Sequence, residues 1–303
     1  MTETKDDNQR LELIRLLTRI EKGKLTDKDL QKLYSGNTNE VIKIGITGMP
    51  GSGKSCLISS LLPYFRKKNK KVGVLALDPI SPKTGGSILA DRVRMQEYAL
   101  DEGVFIRSLT NENSNGGINS KVAQASRALS AYKYNIVLIE TVGIGQSELS
   151  IRDYTDLVLV VLPSDFGDKL QGIKAGILEI ADILIVNKND LPAAVHIFEL
   201  LKTTWNFEGS LISVSSKEDS GISDLYDMIT DTVTKLISEG VINARRLNCI
   251  RRELLTAIYA GFEGEVMDNL KNTAEFEKGI EKILNNEALP GDIADTILKK
   301  YLA

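Results

Sequence analysis

Residues Gly48-Met49-Pro50-Gly51-Ser52-Gly53-Lys54-Ser55 fit the pattern G-x-x-x-x-G-K-[ST]. Such glycines let successive backbone N–H groups turn toward one anion, and a helix starting beside them adds its positive dipole end. Lys54 can then reach the β- and γ-phosphates of a nucleotide, and the Ser55 hydroxyl can hold Mg²⁺. Cys56, the next residue, is assigned to the same nucleotide contact set; its side chain reads as small and buried, not as a nucleophile. The context fits the pattern: Val41–Thr47 before it reads as a buried strand and Cys56–Leu62 after it as a helix.

A second constellation, Asn187-Lys188-Asn189-Asp190, is an N-K-x-D at the end of an apolar run. An ionised Asp190 can accept hydrogen bonds from guanine N1–H and the exocyclic amine. Adenine lacks that amine and carries an acceptor at N1, so a pocket built this way rejects it by roughly 10⁴. Asn187 would brace the loop and the Lys188 stem would cover the base. Ser215-Ser216-Lys217, after the next strand, can supply backbone amides that read guanine O6. N-K-x-D alone is a common polar turn. Its position two strands past an acidic strand end, downstream of a glycine loop, favours base reading.

That acidic strand end is Glu140-Thr141-Val142-Gly143, where GTPases usually carry Asp-x-x-Gly. Glu140 would sit near Mg²⁺, and the Gly143 amide would sense the γ-phosphate. Asp78 closes another strand, and Asp91 follows the loop after it. Mg²⁺ takes octahedral oxygen ligands and usually only one or two carboxylates, so Asp78, Asp91 and Glu140 cannot all join Ser55 as direct ligands. The chemistry expected is in-line attack of water on the γ-phosphate, with charge neutralised by Lys54, Mg²⁺ and loop amides. Gln146 is either a water-positioning group or a plain loop glutamine. The single histidine, His196, reads as a surface residue, and Trp205 as packing at a helix end.

The elements that must position these groups follow from apolar patterning. Strands are predicted at 41–47, 72–77, 104–107, 135–140, 156–162, 182–187 and 210–214, mostly apolar throughout and separated by helices. This marks an α/β fold: a mainly parallel, doubly wound sheet covered on both faces, with ligands beyond the carboxyl ends of the strands. Residues 7–34 read as amphipathic helix, with Leu13, Leu16, Leu17 and Ile20 on one face, and Leu30 and Leu33 beginning a second after Gly23 and the cap Thr26. Leu25 could staple onto Leu30. Beyond 240 strand signals vanish. Leu247, Ile250, Leu254 and Ile258 form one helical stripe. Three parts are expected: a helical arm over 1–38, a P-loop domain over 39–238 and a helical extension over 239–303.

The chain has 303 residues, 42% hydrophobic and 26% charged, with net charge −3. This balance gives no general attraction to nucleic acid or anionic lipid. No apolar run approaches a membrane span, the polar start carries no signal-peptide core, and two cysteines make no disulfide framework; a cytoplasmic protein is expected. The basic run Arg66–Lys71 reads as a solvated helix end and turn.

Taken together, these strings resemble the methylmalonyl-CoA mutase-associated GTPases (MeaB/ArgK type), within the G3E group of P-loop GTPases. The resemblance runs through the glycine loop, Leu77-Asp78-Pro79, Thr84–Leu89, Asp91-Arg92, Glu140–Glu148, Gly167-Asp168, Leu170–Gly176 and Asn187–Asp190. It implies a GTP-hydrolysing chaperone that gates delivery of adenosylcobalamin to a B12-dependent acyl-CoA mutase and protects that enzyme. It also implies a homodimer joined by the helical extensions, with Mg²⁺ and GTP or GDP as its ligands. The family's metal-region acids map onto Asp78, Asp91 and Glu140. A loop that in the family orders on partner binding maps onto Asp165–Lys174, with Gln171 and Lys174 completing catalysis. Ala90, where the family commonly has Gly, and Ser164-Asp165-Phe166 depart from its pattern. Two alternatives stand beside this reading: a metal-insertion GTPase, for which one histidine and two cysteines are a poor ligand set, and a GTP-binding regulatory or transport-associated protein.

Overall fold

The computed structural model describes residues 5–34, 41–78, 96–98, 100–110, 120–141, 150–164, 179–204, 209–262, 268–271, 273–285 and 287–301. The apolar runs become strands, buried on both faces along 136–140, 157–162 and 183–186 and only half-buried along 210–213, at the edge of the sheet. They are β1 (Ile42–Thr47), β2 (Val72–Asp78), β3 (Val104–Thr110), β4 (Ile136–Glu140), β5 (Leu157–Leu162), β6 (Ile183–Val186) and β7 (Ser210–Ser213). All pair in parallel, in the order β3-β2-β4-β1-β5-β6-β7. β3 runs past the expected 104–107 because it pairs with β2 as far as Asp78↔Thr110. The helices are α1 (Lys5–Glu21), α2 (Asp27–Tyr34), α3 (Lys54–Lys67), α4 (Ser120–Ala131), α5 (Pro192–Thr204), α6 (Ile222–Ser238), α7 (Val241–Phe262), α8 (Asp268–Lys271), α9 (Ala274–Leu284) and α10 (Pro290–Tyr301).

Strand side chains alternate between two cores. Val137 and Ile139 of β4 join the cluster built with α1, α2 and α4, while Ile136 and Leu138 join the one built with α3 and α6. Burial on both faces explains why the strands carry no polar alternation. β1 lies mid-sheet between β4 and β5, so its carboxyl end opens at the point where the strand order reverses, which is where ligands bind in such sheets.

In the arm, Leu13, Leu16, Leu17, Ile20 and Leu33 are all buried, but Leu30 stays exposed. Three helical steps place it about 60° round from Leu33, at the rim of a two-turn helix. Thr26 and Asp29 cap that helix reciprocally: the Asp29 amide donates to Thr26 Oγ (3.3 Å), and the Thr26 amide and hydroxyl donate to Asp29 Oδ2 (3.0 and 2.8 Å). The Arg19 guanidinium beside it holds the Asp29 carboxyl well below the usual carboxylate range.

α3 carries Pro63 in its interior, which removes the donor for the Ser59 carbonyl. The Tyr98 hydroxyl fills that place at 3.1 Å, so the helix continues without an orphaned acceptor. In the basic run at its end, Arg66 pairs with Asp101 at 2.9 Å while Lys67, Lys68 and Lys70 are solvated.

The end of the sheet away from the glycine loop is held by ion pairs from α7. Asp156, fully buried, accepts from Arg246 Nε and Nη2 (both 2.8 Å) and from the Lys43 amide (2.9 Å). Arg245 grips Asp182 at 2.8 and 2.7 Å and donates to the Asp156 carbonyl. These bonds fasten the amino ends of β1, β5 and β6 together. Arg246→Ala leaves a buried carboxylate without its counter-charge, a loss of about 3–5 kcal/mol. A lowered midpoint in urea denaturation is the expected result, and an unchanged midpoint would contradict it.

The chain divides into two compact units, Met1–Cys249 and Ile250–Ala303. Within the second, α9 and α10 pack closely: a Cβ at Gly279 would run into Ile293. The expected helical stripe is present on α7, but Leu247, Ile250, Leu254 and Ile258 are all about half exposed. Periodicity finds the stripe without saying what it packs against. Among the described residues, no helix is long and apolar enough to cross a membrane.

Candidate functional site

β1 ends at buried Thr47, and the chain turns at once through the glycine loop into α3. Two of its glycines are obligatory. Gly48 has φ 137°, and a Cβ there would run into the Val161 carbonyl oxygen; Gly53 has φ 90°, and a Cβ would meet Asn187 Nδ2. Each combines a left-handed backbone with a close approach that only glycine allows. Lys54 is buried at the helix start, with its ammonium donating to the Gly48 and Met49 carbonyls at 2.8 and 3.1 Å. Met49 packs on the core, while Pro50 and Gly51 form the exposed crest of the loop.

Ser55 Oγ donates to Glu140 Oε1 at 2.8 Å, and both residues are buried. β4, adjacent to β1, brings the glutamate there. Beneath the pair, the Thr141 hydroxyl donates to that of Thr47 at 2.9 Å, and the Thr141 amide to the Ile46 carbonyl. A hydroxyl against a carboxylate is an all-oxygen donor set of the kind Mg²⁺ accepts, so these residues fit the ion. Asp78 closes β2, but its side chain lies outside the described residues, as do Asp91, Gly143, Gln146, Gln171, Lys174 and Trp205.

Asn187 is the hub that joins the two constellations. Its Nδ2 donates to the Ser52 carbonyl at 2.9 Å, on the glycine loop. Its Oδ1 accepts from the Lys188 amide (2.8 Å), the Ser216 amide (3.1 Å) and the Ser216 hydroxyl (3.0 Å). Carbonyls on one side and donors on the other fix the amide's orientation. Lys188, directly after it, adopts φ 66°, a left-handed turn rare for a lysine. That turn carries Asp190 to an exposed position, where the Ser215 hydroxyl donates to its Oδ1 at 2.5 Å. This bond, together with the Lys217 and Lys188 charges, pulls the Asp190 carboxyl below its ordinary value and keeps it ionised. The Glu218 amide closes the turn onto Ser215 Oγ at 3.2 Å. Lys217 is exposed beside this cluster.

One expectation is corrected. Cys56 is exposed, not buried. At the first turn of α3 the inward position belongs to Leu57, and the residue before it is turned toward solvent. Cys249 is the buried cysteine, and His196 is exposed as expected. Ser60, a helix serine with no motif around it to mark it in the sequence, has its partner in the 215–217 loop.

A parallel sheet that delivers a glycine turn, an acidic strand end and an N-K-x-D loop to one edge defines a P-loop GTPase. The chain belongs to the methylmalonyl Co-A mutase-associated GTPase MeaB family, whose pattern it matches over residues 13–272. A relative from Pyrococcus abyssi is 35% identical over 299 residues, covering 95% of this chain and 92% of its own. GTPase ArgK of Escherichia coli is 32% identical over 257 residues, covering 81% of this chain and 75% of its own. The crystal structure of an LAO/AO transport system kinase superposes with a TM-score of 0.68 at 21% identity, covering 98% of this chain and 95% of that one. That likeness bears on the fold alone.

Proposed function

We propose that this GTPase is a chaperone of a B12-dependent acyl-CoA mutase, gating delivery of adenosylcobalamin to it and protecting it. What carries the reading is the match along residues 13–272 to mutase-associated GTPases. The site supplies the chemistry that such a role needs. Asp190 and the Lys217 amide read guanine, while the Ser215 and Ser216 amides, bonded to the Ser220 carbonyl and Asn187 Oδ1, shape the loop, and Asn187 holds it in register with the phosphate loop. Residues Gly48–Cys56 cradle the phosphates, with the Gly143 amide at the γ-phosphate. Ser55 and Glu140 hold Mg²⁺, with Asp78 and Asp91 as further carboxylates of the metal region. The bound ion neutralises charge on the phosphate oxygens. Lys54 places its ammonium beside the same oxygens, and its two carbonyl partners yield to phosphate on binding.

Gln171 and Lys174 complete this site when the mutase is engaged. A cation supplied only in the complex stabilises developing charge at that moment and no other, which makes hydrolysis slow alone and fast with the partner. The exposed stripe Ile250, Leu254, Leu255, Ile258 and Tyr259 supports a homodimer, since an apolar helix face of this length needs cover. The test is GTP turnover with and without a B12-dependent acyl-CoA mutase. Acceleration of about tenfold or more is expected, from the size of one added transition-state cation, and Lys174→Ala should abolish the acceleration but not the basal rate. Equal rates with and without the mutase would contradict the chaperone role. Steady binding without turnover would favour a regulatory GTP switch instead.

A further inference from the structure

α3 touches the 215–219 segment at two points one helical turn apart. Ser60 Oγ donates to the Ser216 carbonyl at 2.9 Å, and Tyr64 Oη donates to Asp219 Oδ2 at 3.3 Å. The Ser60 hydroxyl also lies 3.0 Å from the Cys56 carbonyl in the preceding turn. With only one hydrogen to give, it shares it between its own helix and the loop.

Ser216 is thereby held at every polar atom it has. Its amide and hydroxyl go to Asn187, and its carbonyl goes to Ser60. Asn187 returns to the phosphate loop through the Ser52 carbonyl. A closed ring results: Ser52, Asn187, Ser216, Ser60, and back along α3 to Lys54. Asn187 makes one half of the ring from β6. Ser60 makes the other half from the helix that cradles phosphate. Ser215, one residue before, holds the Asp190 carboxylate.

We infer that Ser60 is a positioning residue for base recognition, fixing the 215–217 loop at a set distance from the phosphate-binding helix so that nucleobase and phosphates are gripped together. The inference rests on the assignment of Asp190 and the Lys217 amide to guanine. Ser60 touches no nucleotide; it acts through Ser216. Preorganisation of this kind is felt as affinity, because a loop that must be ordered on binding costs some of the binding free energy.

The Lys217 amide, next to the held Ser216, donates to guanine O6, where adenine carries an amine that cannot accept. Freeing the loop should therefore weaken guanine nucleotides and leave adenine nucleotides as they were. The experiment is calorimetric titration of the full chain with GDP and with ADP at fixed Mg²⁺, for the native protein, Ser60→Ala and Ser60→Thr, alongside thermal melts. For Ser60→Ala, the ratio of GDP to ADP affinity should fall about five- to tenfold, the worth of one net hydrogen bond. Ser60→Thr keeps the hydroxyl and should restore the ratio. An unchanged ratio in Ser60→Ala would overturn the inference. So would an equal loss of GDP and ADP affinity, which marks a merely structural serine. If the native protein itself shows no preference for GDP, the base-site assignment fails first, and the inference with it.

Discussion

Lys54→Ala should lower GTP hydrolysis by about 10³-fold or more while leaving the fold intact. The magnitude follows from what one preorganised charge contributes in a water-poor site, about 10²–10³ for a single neutral donor and more for a full cation against phosphate oxygens. The structure places this ammonium where no other described side chain can replace it. Lys54 is buried at the start of α3, and its Nζ lies on the Gly48 and Met49 carbonyls that outline the anion cradle. Retention of the fold is expected because alanine is the strongest helix former. The Lys54 ammonium lies on loop carbonyls, and the apolar core of α3 is built by Leu57, Ile58, Leu61 and Leu62. Single-turnover hydrolysis and a circular-dichroism melt check the two halves separately. Hydrolysis within tenfold of the native rate would remove the glycine loop from the mechanism.

Asp190→Asn should exchange one base preference for another. Guanine presents two donors, N1–H and the C2 amine, to the carboxylate; asparagine offers a donor of its own in place of one acceptor. GTP affinity should fall about 10²–10³-fold, because a site built to pair buried donors is left mismatched. Xanthosine triphosphate, with a carbonyl at C2, should gain by a similar order. The fold has little reason to respond, since residue 190 is exposed and the amide oxygen can still accept from Ser215. The pH dependence gives a second check. The Asp190 carboxyl is depressed, first by the Ser215 hydrogen bond and then by Lys217 and Lys188. Its ionised form therefore persists to lower pH than that of an ordinary aspartate, and base recognition is lost as pH falls through this lowered value. GTP affinity should stay flat from neutral pH down to about pH 5, where an unperturbed carboxyl is still mostly ionised. A native protein that binds ATP as well as GTP would refute the pocket.

Much of this was legible because P-loop chemistry is local. Gly48, Gly53, Lys54 and Ser55 act through backbone conformation and adjacency, and both survive in a linear reading. The strands were legible for a related reason: a sheet buried on both faces demands short unbroken apolar runs, and Leu157–Leu162 is such a run. The same local logic failed at Cys56, where a small apolar residue beside a helix start was assigned inward. Burial there is decided by which side of α3 meets the sheet, and Leu57 holds that side. It failed at Leu30 too, which shares a period with Leu33 but not a neighbour.

The order of motifs along the chain determined the class of site and the groups that compose it. Only the tertiary structure decided how those groups meet. Glu140 reaches Ser55 because β4 lies beside β1, which sequence order alone would not say. Asn187 binds the glycine loop, and Ser60 binds the base loop across 156 positions of sequence. Such contacts carry no signature in composition or spacing, since a serine in a helix and an asparagine at a strand end are ordinary residues until the sheet folds them together.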